Sequence, residues 1–436
     1  MDRAWHIPFL GTLVSFFASS PYRISGLLLV KIMEEFNVNR EEASWPVNMI
    51  SSGYDIGGLV YGLLSQWLSL AQTAVVGALL TSFGVLTSVL VSNIWWMTCT
   101  LGILHGLGSG TMSVCTQVFV SHNFVVYRGI AHGIVSTGPS ISALVFPGLL
   151  LLMTSAYNFK ASVVLLGGVL LNLIPLSALF THHSATTPFN FSETNSSQNP
   201  TPSETASNIE AKQHGTFEKP SSTLELKPRL LRTVAELLRT PMYYVLLVSW
   251  LALYLNMDIV LSTIVDFAKD IGVSESKAAA LLSYASITDA LGRLLIPLVA
   301  DKKLIRRSTL SAVNFLALAL FVAVLASVRS YVILVILTLP MAAGIGCSQA
   351  MFGALLADYI GLQRLSAGYG LCSVIGAPIL LLKPLFIGYF RDTIGSYVNM
   401  FRVLAGLQIL NSGLWFGVLF VERKRFTLSL GKETPK

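Results

Sequence analysis

Runs of roughly 20 apolar residues recur along this chain, and nothing else in it constrains the fold so strongly. They fall near 8–32, 46–68, 72–92, 95–120, 130–153 and 160–181. After a polar gap they resume near 242–266, 277–300, 309–328, 332–357, 365–388 and 399–421. A helix of about 20 residues is about 30 Å long, which matches the hydrocarbon core of a bilayer. Lipid offers no hydrogen bonds, so each such segment must satisfy its own backbone, and a helix does so. Only 12% of the 436 residues are charged and 53% are hydrophobic. A soluble domain carries about 25% charged residues, so lipid must cover much of this surface. The expectation is an all-α membrane protein with twelve transmembrane helices in two six-helix bundles.

The polar gap divides the chain. Residues 1–181 read as the first bundle, 182–238 as a largely disordered central loop, 239–425 as the second bundle and 426–436 as a tail. Stretches such as "ETNSSQNPTPSETASNIEAKQ" have too few apolar residues to bury. The end of the loop, "RLLRTVAELL" (Arg229 to Leu238), has the pattern of an amphipathic helix lying on the membrane surface. Basic residues cluster at Arg229, Arg232 and Arg239, at Lys302, Lys303, Arg306 and Arg307, and at Arg423, Lys424 and Arg425. With twelve spans these segments share one side with both termini, and the positive-inside bias makes that side the cytoplasm. The glycosylation sequons at Asn190 and Asn195 are then chance matches.

The same distribution explains the formal charge of +7 without a nucleic-acid partner. Cys99, Cys115, Cys347 and Cys372 all lie in apolar spans, with neither metal-ligand nor disulfide spacing. No HExxH, GxSxG or Walker sequence occurs, so the expectation is no enzyme, no cofactor and no metal. The N-terminus enters a long apolar run that contains Arg23, unlike a cleavable signal peptide.

Ionisable residues inside spans are costly, which makes them functional candidates. Asp289 and Arg293 are four residues apart, on one helix face and near mid-membrane, and can pair. Arg23, in "ASSPYRISGLLLV", could pair with Asp289 across the halves or hold an anionic substrate. Tyr54, Asp55 and His105 are candidates to line a cavity, with Asp258 and Lys383 weaker ones toward the outer ends of their spans. The bland reading of His105 is a hydrogen-bonded helix contact. The neighbouring "GLGSG" has no preceding strand, and close helix packing explains it better than a nucleotide loop.

An internal repeat fits the division into halves: "RGIAHGIVSTGP" from Arg128 resembles "RLSAGYGLCSVIGAP" from Arg364. Parallel halves of this kind mark the major facilitator architecture, with substrate sites near the midplane between them. Longer stretches resemble the monocarboxylate transporter family within that superfamily. "RISGLLLVKIMEEF" is similar to the family's first span, with Arg23 in place of its lysine, and Phe36 and Trp45 fall on its Phe and "SW" positions. "DRAW" stands where the family has "DGGW", and "GILHGLGSG" resembles its "GxLxGLG". Arg128, Ala131, Gly133 and Gly138 match "RRxLAxGxAxAG", Asp289 and Arg293 match its Asp-x-x-x-Arg, and "GYFRDTIGSY" matches "GxxxDxxGxY".

The resemblance implies transport of a small organic anion together with a proton, at the plasma membrane, with a single-span glycoprotein as chaperone. It assigns Arg23 as charge partner, Asp289 as proton site and Arg293 as anchor for the substrate carboxylate. Alternatives in the same frame are a proton-independent facilitator of an aromatic or larger solute, and a non-transporting sensor. Three departures stand out. Arginine replaces lysine at 23, which leaves proton coupling to Asp289. Tyr127 replaces the first arginine of the fifth-span motif. The turn in "LLSQWLSLAQTAVV" lacks the basic residues that facilitator proteins place there.

Overall fold

The computed structural model describes residues 4–91, 93–180 and 232–430. Within them the chain crosses back and forth as helices, six on each side of the central gap. The first half holds α1 (His6–Ala18, Ser20–Arg23 and Ser25–Phe36), α2 (Arg40–Leu64) and α3 (Leu70–Ser88). It continues with α4 (Ile94–Met97, Thr98–Leu104 and His105–Asn123), α5 (Arg128–Ala156) and α6 (Phe159–Leu170 and Leu173–Ala178). The second half holds α7 (Pro241–Asp270), α8 (Glu275–Asp301), α9 (Arg307–Leu325) and α10 (Tyr331–Ile360). It ends with α11 (Leu365–Leu381, Lys383–Gly388 and Tyr389–Thr393) and α12 (Val398–Leu430).

Eight of the described helices are long and apolar enough to cross a membrane: α3, α5 to α10 and α12. The other four depart from that pattern for physical reasons. In α1 the break falls at "SSPYR": Pro21 has no N–H for the Phe17 carbonyl, and the Ser20 hydroxyl donates to that oxygen instead, at 2.9 Å. α11 is interrupted before Lys383–Pro384, again at a proline. α4 carries a π-helical stretch, Thr98–Leu104, just before His105. α2 holds charged and small residues in place of a continuous apolar run. Broken and polar helices survive in a membrane where they are buried in protein or line a cavity.

The amphipathic stretch before α7 is helical over 232–238, with Leu237 buried and Leu238 exposed. α12 runs five residues past the expected bundle boundary at 425, to Leu430. The rest of the central loop (182–231), with Asn190 and Asn195, lies outside the described residues, as do 1–3, 92, 181 and 431–436. "GLGSG" packs closely: a Cβ at Gly110 would overlap the Tyr54 carbonyl of α2.

Two seams join the halves. At one, α5 lies against α8 and α10; at the other, α2 lies against α11. On the face that carries the central loop, one ion pair and further hydrogen bonds of charged side chains cross the first seam. Arg128 of α5 meets Asp358 of α10 at 2.6 Å. Arg307 of α9 meets Asp358 and Asp301 at 2.7 Å each, and it also donates to the Val126 carbonyl of the first half at 2.9 Å. Among the described residues, ion pairs on the opposite face stay within one half, as Asp270–Arg391 and Lys160–Glu35 do. The halves are therefore pinned together on the central-loop face.

Candidate functional site

Between the halves lies a cavity of about 100 Å³, walled by α1, α2, α4 and α5 on one side and α7, α8 and α10 on the other. Its charged lining residues are Arg23, Asp55, Asp258 and Arg293. Each is placed by a specific local feature. Arg23 ends the short helical turn after the Pro21 break, so the interruption of α1 sets it in the cavity wall. Asp55 follows Tyr54 on α2, and the Tyr22 and Tyr54 rings stack at 6.0 Å and 12° between the two helices. The Tyr54 hydroxyl donates to Ser113 of α4 at 2.7 Å.

Arg293 faces the cavity, while its partner Asp289 stands behind it toward α5. The guanidinium grips the carboxylate with two bonds, Nε to Oδ2 at 2.8 Å and Nη2 to Oδ1 at 3.1 Å. The pair is tied across the seam as well: Arg293 donates to the Ser136 carbonyl at 3.0 Å, and Ser140 donates to Asp289 at 2.9 Å. Two glycines permit this fit. A Cβ on Gly133 of α5 would overlap the Arg293 carbonyl, and one on Gly346 of α10 would overlap the Asp289 carbonyl. A fork–fork pair with further hydrogen bonds is the form in which two buried charges are best tolerated.

The expected pairing of Arg23 with Asp289 is not formed. Asp289 is turned toward α5 by Ser140 and held by Arg293, and Arg23 has no carboxylate partner among the described residues. Its Nε is buried without an acceptor, and its guanidinium carbon lies 5.5 Å from the centre of the adjacent Tyr22 ring. Asp258, the weaker candidate, does reach the cavity and is paired with Lys383 at 3.2 Å. The α11 interruption places Lys383, much as the α1 interruption places Arg23.

His105 does not line the cavity, which corrects that expectation. It is fully buried between α3 and α4, with Nδ1 3.0 Å from the Thr81 carbonyl and its backbone against Gly84. This is the hydrogen-bonded helix contact of the bland reading. Sequence reasoning overlooked several polar lining residues: Ser109, Ser113 and Gln117 of α4, Tyr254 of α7 and Gln349 of α10. Those on α4 share one face at helical spacing, a polar signal that carries no charge. Gln117 also bonds the buried His132 of α5, whose other ring nitrogen lies 2.9 Å from the Ser121 hydroxyl. Among the described residues no cluster of His, Cys, Asp or Glu could hold a metal ion.

Comparison with known proteins bears on the fold and the family. Residues 9–380 match the family described as Major Facilitator Superfamily. Monocarboxylate transporter 12-B of Danio rerio is 24% identical over 399 residues, covering 90% of this chain and 82% of that protein. Monocarboxylate transporter 2 of Mesocricetus auratus is 24% identical over 408 residues, covering 90% and 81%. Among solved structures, the E. coli fucose:proton symporter superposes with a TM-score of 0.67 at 16% identity, covering 95% of this chain and 99% of that one.

Proposed function

The chain belongs to the Major Facilitator Superfamily, and from that premise we propose that it carries small organic monocarboxylates across the plasma membrane by alternating access, coupled to a proton at Asp289. The observation that carries this reading is Arg23. A guanidinium in the wall of a cavity between the halves, with no carboxylate partner among the described residues and a buried Nε lacking an acceptor, is costly until an anion meets it. Its planar fork suits a carboxylate. Relatives along most of the chain bear the name monocarboxylate transporter.

Arg293 supplies a second donor group, but only conditionally. As long as Asp289 is ionised, it occupies two of the guanidinium's nitrogens. A proton on Asp289 weakens that grip and frees the Arg293 fork for substrate, so proton and anion favour each other's binding. Arg23 cannot serve as the proton carrier, because arginine stays charged.

Uptake into proteoliposomes tests both parts. Labelled pyruvate, lactate and aromatic acids are offered with and without an inward proton gradient. Arg23→Gln should reduce uptake by about tenfold or more, as expected for loss of a charge-assisted contact. Asp289→Asn should abolish stimulation by the gradient. Uptake indifferent to Arg23→Gln overturns the anion seat, and wild-type uptake indifferent to the gradient overturns proton coupling.

A further inference from the structure

The cavity presents more than an anion seat. Of its four charged lining residues, two are neutralised by neighbours: Arg293 by Asp289, and Asp258 by Lys383. The other two, Arg23 and Asp55, have no ion-pair partner among the described residues and do not pair with each other. They sit on adjacent helices, each directly after one ring of the stacked Tyr22–Tyr54 pair. The cavity wall thus holds one guanidinium and one carboxyl group without ion-pair partners, each next in sequence to a ring of the aromatic stack.

A simple monocarboxylate answers only half of this arrangement. It would satisfy Arg23 but would set its own negative charge against the Asp55 carboxyl group in a confined, weakly screened space. A site built for such a ligand gains nothing from an open carboxylate and loses affinity through repulsion. We infer that the transported carboxylate is a zwitterion, whose carboxylate meets Arg23 while its cationic nitrogen meets Asp55. This inference rests on the carboxylate reading above and narrows it. The rest of the lining fits: tyrosine faces attract cations, and Ser51, Ser109, Ser113 and Gln117 offer hydrogen bonds along the same wall. A molecule with no net charge also fits a lining of two acids and two bases.

The test uses matched pairs in which an ammonium group replaces a hydroxyl on one skeleton: alanine against lactate, and phenylalanine against phenyllactate. Uptake of each is measured with the full-length chain in proteoliposomes. The wild type should favour the zwitterion of a pair by at least about tenfold, since the hydroxy acid leaves Asp55 unpaired. Asp55→Asn should raise KM for the zwitterion by at least about tenfold and improve KM for the hydroxy acid, a reversal that general damage to the protein would not produce. Arg23→Gln should weaken both members of the pair.

A wild type that prefers hydroxy acids overturns the inference without any variant. So does an Asp55→Asn protein with unchanged preference. If hydroxy acids are carried in an Arg23-dependent way and zwitterions are not, the carboxylate reading survives and this narrowing falls. If neither member of either pair is carried, both fall.

Discussion

On the central-loop face, the turn from α2 to α3 closes on itself, whereas the turn from α8 to α9 reaches into the other half. The two turns occupy corresponding places in the parallel halves. In the first, Ser69 and Gln72 form a reciprocal capping box: the Gln72 amide donates to Ser69 at 3.3 Å, and the Ser69 amide donates to Gln72 at 2.9 Å. In the second, Asp301 accepts the Ile130 amide at 2.7 Å. Tyr127 supplies no side-chain cap to α5, so the carboxylate that satisfies this helix start comes from the opposite half. Arg307 then binds both Asp301 and Asp358.

The internal repeat shows the same asymmetry. Arg128 begins α5 and meets Asp358 across the seam, but the repeat-related Arg364, just before α11, meets Glu236 of the short helix that precedes α7, at 2.9 Å and away from the first half. The seam of α5 with α8 and α10 is therefore a latch made of charges, and the seam of α2 with α11 is a plain packing surface. The absence of basic residues from "LLSQWLSLAQTAVV" makes sense in these terms: a turn that caps itself holds nothing across the interface. Any separation of the halves on this face must break ionic contacts along the α5 seam, and among the described residues none along the α2–α11 seam.

Removing Asp301 should have the largest effect on that contrast. Its side chain is fully buried and serves both Arg307 and the Ile130 amide. Breaking a buried charge pair from one side costs about 3–5 kcal/mol, so Asp301→Ala should lower the unfolding midpoint of the purified protein sharply and depress transport. Arg364→Gln removes an exposed pair that does not cross between the halves and should cost about 0–1 kcal/mol. Thermal unfolding in the same detergent compares them, and equal losses would break the distinction between the seams.

A second contrast concerns packing. Gly133 lets α5 approach the Arg293 carbonyl so closely that a Cβ would overlap it. That oxygen belongs to backbone, so it cannot swing away as a side chain could. Gly133→Ala must push α8 off α5, at about 1–3 kcal/mol for overpacking, and it should loosen the bonds of Ser136 and Ser140 to the Arg293–Asp289 pair. Uptake measurements should show weaker transport together with weaker stimulation by a proton gradient. Unchanged transport would mean that the seam yields without disturbing the pair.

Much of this was legible in the sequence, and the part that was not has a common cause. Apolar run lengths set the number and order of the spans, and the four-residue spacing of Asp289 and Arg293 foretold their pairing, because both facts are local. A lone charge within an apolar run is legible too, and it marks Arg23. Rotation of each helix about its own axis is not. It decides that Asp289 turns toward Ser140 and away from Arg23, that His105 faces Thr81, and that Asp258 meets Lys383, 125 residues further on. The breaks that aim Arg23 and Lys383 were written at Pro21 and Pro384, yet a continuous apolar count runs straight through both.

The smallest effect should come from the packing seam itself, at Gly62 of α2. A Cβ there would find the Ser366 carbonyl at 3.4 Å and Gly370 Cα at 3.8 Å, which are ordinary contacts. Alanine within a helix is favoured over glycine by about 0.5–1 kcal/mol, so Gly62→Ala should be neutral or slightly stabilising, with transport within about twofold of wild type, since no polar contact is lost. Unfolding and uptake measured on one preparation separate two outcomes. A loss of stability would show that α2 and α11 are packed as tightly as α5 and α8. A loss of turnover at unchanged stability would place the tight approach in the opposite conformation, with the α2–α11 seam closing as the ionic latch opens.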